Sequence, residues 1–265
     1  MIDSGAFTIF NNPKKVKDIN IDAYCNYLSK YANDCDKYIM FDIIGNDRES
    51  KSNYELMLKR GYLPMFVLTT VDNDYNYLQD AVRNNEHVCI AGGYITKGRW
   101  LQKRYQDVYR LTKGKIHGLA FIAFPIMYQL PLHSVDSSSW IVSAQRGGQL
   151  PVFSPIKGMQ YIHYLHILNR KKEMPKRIIE ICDKFKITPK VFSDLNNHRG
   201  NRSIGTLFSL YAYIEYQKFT KKQGLNLFFS IAWEKQLNQL LHYNEIFNDP
   251  TYTYEKFRRQ DFRSY

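Results

Sequence analysis

Four cysteines in 265 residues, Cys25, Cys35, Cys89 and Cys182, include no Cys-x-x-Cys pair, which excludes a zinc knuckle and a dithiol redox motif. Cys89 lies inside an apolar run and reads as a small core residue. No apolar run reaches membrane-spanning length: the longest, Gly118 to Leu132, is broken by Pro125 and Pro131. No signal peptide is expected, because the chain opens on strand-like Met1-Ile2-Asp3, and the expected location is a reducing cytoplasm without membrane attachment. Internal repeats and low-complexity linkers are also missing, so the C-terminal half is expected to pack on the N-terminal half. Acidic residues are in short supply, 25 against 37 Lys and Arg, and the net charge of +12 points to a polyanionic partner rather than to a merely solvated basic surface. Aromatics are abundant instead, with 21 Tyr and 16 Phe, some of them placed among Lys and Arg as base stacking beside phosphate contacts requires.

The first half repeats one rhythm: an apolar run, a polar or glycine-bearing end, then a helical stretch. The runs are Met1–Phe7, Tyr38–Ile44, Leu63–Thr69, His87–Gly93, Ile116–Ala123 and Leu132–Val135, with helices expected around Ala23–Tyr31, Asn53–Arg60, Tyr75–Arg83 and Arg99–Leu111. Strands alternating with helices predict a parallel sheet, and runs that are apolar throughout predict strands covered on both faces. The fold class expected is α/β, a (β/α) TIM-like barrel over 1–150 that is incomplete or atypically closed. A mainly helical region over 151–265 packs on it, completes it and binds nucleic acid. Residues 157–186, Ile204–Phe219 and a stretch to about Phe247 read as helical, and Leu225–Trp233 as strand or helix.

The chemistry sits at the run ends, where a barrel builds its active site. Asp3-Ser4-Gly5-Ala6-Phe7 brings a carboxylate, a hydroxyl and a turn where a ring can lie against backbone. Asp42 ends the buried run Tyr38–Phe41, where an unpaired carboxylate is costly and is expected to meet a ligand or cation, unless it caps a helix. Gly92-Gly93 ends the fourth run. Asp136, just after the sixth, enters Ser137-Ser138-Ser139, whose hydroxyls tune a carboxylate or bind sugar and phosphate oxygens, and Trp140 offers a stacking face or a core ring. A metal site built from His117, His133 and Asp136 is the alternative, although their spacing matches no ligand motif.

In order and spacing, residues 1 to about 146 resemble the tRNA-guanine transglycosylase superfamily, more closely its DNA-acting 7-deazaguanine branch. Asp3-Ser4-Gly5-Ala6-Phe7 is similar to the family's D-S-G-G-F/Y, which implies Asp3 as general acid/base. Met40-Phe41-Asp42 is similar to the segment whose aspartate reads the base edge. Met65–Thr69 falls at a base-contacting strand, Ala91-Gly92-Gly93 at the glycine turn lining the base pocket, and Ile116-His117-Gly118 at the next strand. Val135-Asp136 falls at the segment whose aspartate is the nucleophile. The resemblance implies catalysis by Asp3 and Asp136, and base binding by Ser4, Gly5, Phe7, Asp42, Thr69, Gly92 and Gly93. The basic helix Lys97–Lys113, with Arg99, Lys103 and Arg104, and Arg146, Arg199 and Arg202 are the expected phosphate grips. No metal and no cofactor is called for, and the expected partner is nucleic acid, DNA before tRNA.

The departures are specific. The family's zinc-binding cysteines are missing, Ser-Ser-Ser-Trp replaces the P-T-R after the nucleophile, and Thr69 stands where the family has glutamine, which points to a base other than guanine. Two strands precede the corresponding D-S-G in the family. Here the barrel is therefore incomplete, or completed by later segments such as Leu150–Ser154 and Leu225–Trp233, or the chain is trimmed. The activity expected is cleavage of the N-glycosidic bond of a modified base in DNA, by hydrolysis or exchange, in phage DNA modification or anti-phage defence. The alternatives are tRNA base exchange, an inactive nucleic-acid-binding barrel, and a barrel enzyme acting on a small phosphorylated substrate, for which Gly92-Gly93 is the one phosphate-loop candidate.

Overall fold

A computed structural model describes residues 1–12, 14, 18–68, 75–85, 87–91, 98–113, 115–121, 130, 132–140, 149–163, 176–188, 202–231, 238, 240–241 and 248–251. The architecture is α/β, and its larger sheet has five strands and is mostly parallel. The chain divides into two compact units, Met1–Val135 and Asp136–Tyr265.

In the first unit, helix α1 (Ala6–Asn11) is followed by α2 (Ile21–Tyr31) and α3 (Asp47–Lys59). Strand β1 (Phe66–Leu68), α4 (Tyr75–Asn84), β2 (Val88–Ala91), α5 (Gly98–Thr112) and β3 (Ile116–Leu119) come next, and β4 (Ser134–Ser137) crosses into the second unit. The helices start where the side chains permit. Asn20 caps α2 by accepting from the amides of Asp22 and Ala23, and Asn46 caps α3 by accepting from that of Glu49. Both helices carry acid in the first turn and lysine in the last, as the helix dipole favours.

Phe66, Val67, Leu68, Val88, Cys89 and Ile90 are all buried, so both faces of these strands are covered. β1 pairs with β2, β2 with β3 and β3 with β4, each in parallel. Two parallel bridges, Ile2 to Tyr38 and Ile39 to Met65, extend the series on the other side. Chain passes at 2, 38–39, 65–68, 88–91, 116–119 and 134–135 thus neighbour one another in sequence order. A doubly wound sheet would reverse that order at a switch point, and these passes do not.

Several expected boundaries differ. The first two runs are single-bridge contacts rather than strands, and α1 starts at Ala6 because Gly5, at φ 78°, turns the chain into the left-handed region. Asp136 lies inside β4, not after it.

In the second unit, β5 (Gln149–Ser154) and β6 (Gly158–His163) form a separate antiparallel two-stranded sheet, followed by α6 (Lys176–Phe185), α7 (Arg202–Lys222) and β7 (Asn226–Phe229). This corrects two expectations. Residues 158–163, read as helical, are a strand, because a tight turn at Ser154–Gly158 folds them back onto 149–154. Leu150–Ser154 therefore belongs to the hairpin and not to the larger sheet, whereas β7, within the Leu225–Trp233 segment, lies beside β4 there. The apolar face of α7 packs on β5 and β7, with Leu207, Phe208, Leu210, Ala212, Tyr213 and Tyr216 fully buried.

At Gly118 the packing leaves little room for a side chain. A Cβ there would lie 3.1 Å from Val135 Cγ1, 3.2 Å from Phe121 Cβ and 3.5 Å from the Tyr105 hydroxyl. Gly118→Ala is expected to lower stability by about 1–3 kcal/mol through overpacking, and Gly118→Val by more, both read from urea unfolding midpoints. An unchanged midpoint for Gly118→Val would contradict the packing described.

Candidate active site

Asp3 follows the Ile2 bridge by one residue, and Asp42 follows the Ile39 bridge by three, so both sit at the C-terminal ends of parallel passes. Asp3 is exposed, whereas Asp42 is only 4% exposed. The buried Ser4 hydroxyl ties the two ends together: it donates to Asp42 Oδ1 at 2.6 Å and accepts from the Ala6 amide at 3.2 Å. Gly5, in the left-handed conformation, lets the chain turn there so that Ser4 faces Asp42 while Ala6 starts a helix.

Among the described residues no cation forms an ion pair with Asp42. Burial pushes its carboxyl up to about 6, and the Asp3 charge pushes the same way against the Ser4 hydrogen bond, which lowers it. Tyr24 stands close by, its hydroxyl donating to the Ile39 carbonyl at 2.7 Å and its ring 5.6 Å from Phe41. Burial first, then the charges of Asp3 and Asp42, drive the Tyr24 hydroxyl far above its ordinary value, so it remains a proton donor. Asp42 forms the polar floor of a hollow of about 280 Å³ whose other walls are Ala6, Ile9, Phe10, Ile43 and Ile44. Phe10 is 51% exposed and Phe7 more so, both on the short helix α1. An apolar slot with one carboxylate fits a flat ring whose edge carries N–H donors.

Asp136 is 8% exposed and accepts from the Ser230 hydroxyl at 2.5 Å. Ser230 directly follows β7, and its amide donates to the Ser137 carbonyl, so backbone pairing fixes the serine beside the carboxylate. Trp140 is a core ring: it is buried, donates from Nε1 to the Ser230 carbonyl at 3.0 Å and lies 6.1 Å from Phe229. The triple serine splits in role, because Ser137 is buried and accepts from the Ser139 amide while Ser138 is exposed.

Sequence reasoning named Asp3, Ser4, Asp42 and Asp136 but missed Ser230, Tyr24 and the isoleucine walls. Ser230 had only a weak signal, a polar residue inside the apolar segment Leu225–Trp233. Of the other expected site residues, Thr69, Gly92, Gly93, Arg146 and Arg199 lie outside the described residues, as do the side chains of Arg99, Arg104 and Arg202. Lys103 is exposed on α5.

Two histidines stand at the other ends of the strands, and a third lies within β3. His87 precedes β2 and His133 precedes β4, their rings 5.4 Å apart, while His117 Nδ1 meets the Ser134 hydroxyl at 2.8 Å. Among the described residues no group of three His, Cys, Asp or Glu could hold a metal ion.

Asp42 gives a stability test. Its folded value lies above the unfolded one, so the native state binds the proton more tightly, and stability contributed by protonation is lost as pH rises from about 4 to about 6. Asp42→Asn is therefore expected to be more stable than the parent above pH 7, by on the order of 2 kcal/mol, with the difference vanishing by pH 4. Urea unfolding at both pH values checks it, and a variant less stable than the parent at pH 7.5 would refute the assignment.

Comparison with known proteins returned no matching family model, no matching curated protein and no matching solved structure.

Proposed function

We propose that this protein cleaves the N-glycosidic bond of a modified base in DNA, through a covalent intermediate on Asp136, from a (β/α) TIM-like barrel. The observation that carries the reading is the desolvated Asp42 carboxylate at the floor of an apolar hollow, hydrogen-bonded to Ser4 next to Asp3. That arrangement accepts hydrogen bonds from a ring edge and destabilises the fold to do so, as recognition sites do.

In this reading the target nucleotide leaves the stack and its base enters the hollow over Asp42. The Asp136 carboxylate, oriented by Ser230, attacks C1′, and the C1′–N bond breaks with its electron pair leaving on the base. Asp3 gives its proton to that base, and the glycosyl group remains esterified to Asp136. Water or a second base then attacks C1′ and gives its proton to Asp3, and Asp136 is released. Water leaves an abasic site, whereas a second base completes an exchange. The net charge of +12 supports a polyanionic substrate, and Lys103 on α5 is a candidate phosphate contact.

The decisive experiment incubates the protein with DNAs of varied base content and identifies released bases by mass spectrometry. Asp136→Ala and Asp136→Asn are expected to lower base release by several orders of magnitude while DNA binding persists, since an amide is a poor nucleophile. Ser230→Ala is expected to cost about 10- to 100-fold by loosening the nucleophile. Asp3→Asn should be severe but partly offset for bases that leave without protonation. Full activity in Asp136→Ala would eliminate the nucleophile assignment. DNA binding with no base released from DNA or tRNA by the parent protein would favour an inactive barrel.

Affinity for DNA is expected to fall steeply with salt, and Lys103→Glu to weaken it without changing which base is released. Salt-independent binding, measured by fluorescence anisotropy from 50 to about 200 mM salt, would favour a small-molecule substrate.

A further inference from the structure

Ile156 is 87% exposed, more than any other large apolar side chain among the described residues. It stands at the tip of the β5–β6 hairpin, whose register runs without interruption from Gln149 opposite His163 to Ser154 opposite Gly158. The tip is built to hold it out. Pro155 has a fixed φ, and the Ser154 hydroxyl oxygen accepts from the amides of Ile156 at 3.4 Å and Lys157 at 3.3 Å. Gly158 closes the turn at φ 72°. Turn apices ordinarily carry Asn, Asp or Gly, because an apolar residue there gains nothing from folding.

The hairpin strands are anchored as firmly. Phe153 stacks on Tyr216 at 5.0 Å and lies 5.4 Å from Phe219, and the Tyr161 and Tyr213 hydroxyls are 3.2 Å apart. Tyr213 in turn packs edge-on to Phe229, next to Ser230, the residue that holds Asp136. Phe153 lies one residue before the turn, so the anchor reaches up to the tip itself. Nucleophile and hairpin are thus parts of one packed scaffold.

Charge identifies what the tip meets. Residues 136–265 carry 20 Lys and Arg against 11 Asp and Glu, which is +9 of the chain's +12, and the exposed Lys157 adjoins Ile156. An apolar point beside a cation, on a strongly basic unit, fits the interior of a base stack flanked by phosphates.

We infer that Pro155-Ile156-Lys157 is a wedge for duplex DNA: Ile156 enters the base stack and fills the gap left by an extruded nucleotide, while Lys157 holds an adjoining phosphate. This inference rests on the proposed reading for the nucleotide's fate, but it is tested separately. The probe is a DNA duplex with one 2-aminopurine, whose fluorescence rises on unstacking. The full chain at saturation is expected to raise the signal several-fold. Ile156→Ala should lose more than half of that gain, Ile156→Phe should keep it, and Lys157→Ala should weaken binding yet reach the same gain at saturation. In the base-release assay, Ile156→Ala should lose at least tenfold on duplex and stay within about twofold of the parent on single strands, which need no wedge.

Equal gain for the parent and Ile156→Ala, or duplex bound without any gain, overturns the wedge. If base release also proceeds with an unchanged duplex-to-single-strand ratio in Ile156→Ala, the glycosylase reading stands without it. An Ile156-dependent gain with no base released from any substrate keeps the wedge and removes the glycosylase.

Discussion

Strands that are covered on both faces leave polar groups nowhere to go but their ends, and this constraint organises the protein. Phe66 to Leu68 and Val88 to Ile90 present only apolar side chains to the layers around them. Any hydroxyl or carboxylate placed mid-strand would lose water without a partner. Asp3, Ser4 and Asp42 are accordingly gathered past the Ile2 and Ile39 bridges, where the chain leaves the sheet. Asp136 tests the rule from the other side: it lies within β4, and there the Ser230 hydroxyl supplies the contact that solvent would have made.

The same constraint explains how much could be read from residues alone. Apolar runs with polar ends located the passes at 38–39, 65–68, 88–91 and 116–119 and marked Asp42 as a costly carboxylate, which it is. Helices α2, α4 and α5 lie within two positions of their expected limits, whereas α3 begins at Asp47, six residues before the expected start, because Asn46 caps it there. Ser230 escaped because Leu225–Trp233 reads equally as strand or helix, so its end had no location. The hairpin escaped because Tyr161, Leu165 and Leu168 recur at helical spacing. The turn residues Pro155 and Gly158 were local evidence against a helix, and pairing with 149–154 is a long-range choice that periodicity does not encode. The walls Ile9, Phe10, Ile43 and Ile44 come from two separate segments, and only the fold brings them to one hollow.

Rings hold the second unit: Trp140, Phe153, Tyr213, Tyr216 and Phe229 interlock around α7, and the Ser209 hydroxyl donates to the Trp140 carbonyl. Large rings with few rotatable bonds make a stiff support at low entropic cost. Stiffness is what the nucleophile role proposed for Asp136 requires.

The upward shift of the Asp42 carboxyl has a consequence for recognition as well as for energy. An ionised carboxylate offers acceptors alone, whereas a protonated one offers a donor and an acceptor side by side, the pattern of an amide edge. With its carboxyl at about 6, Asp42 passes from one pattern to the other within the span of mild physiological acidity. Under the proposed reading, one residue in one hollow thus presents two patterns, complementary to different rings, and the proton concentration decides which is presented.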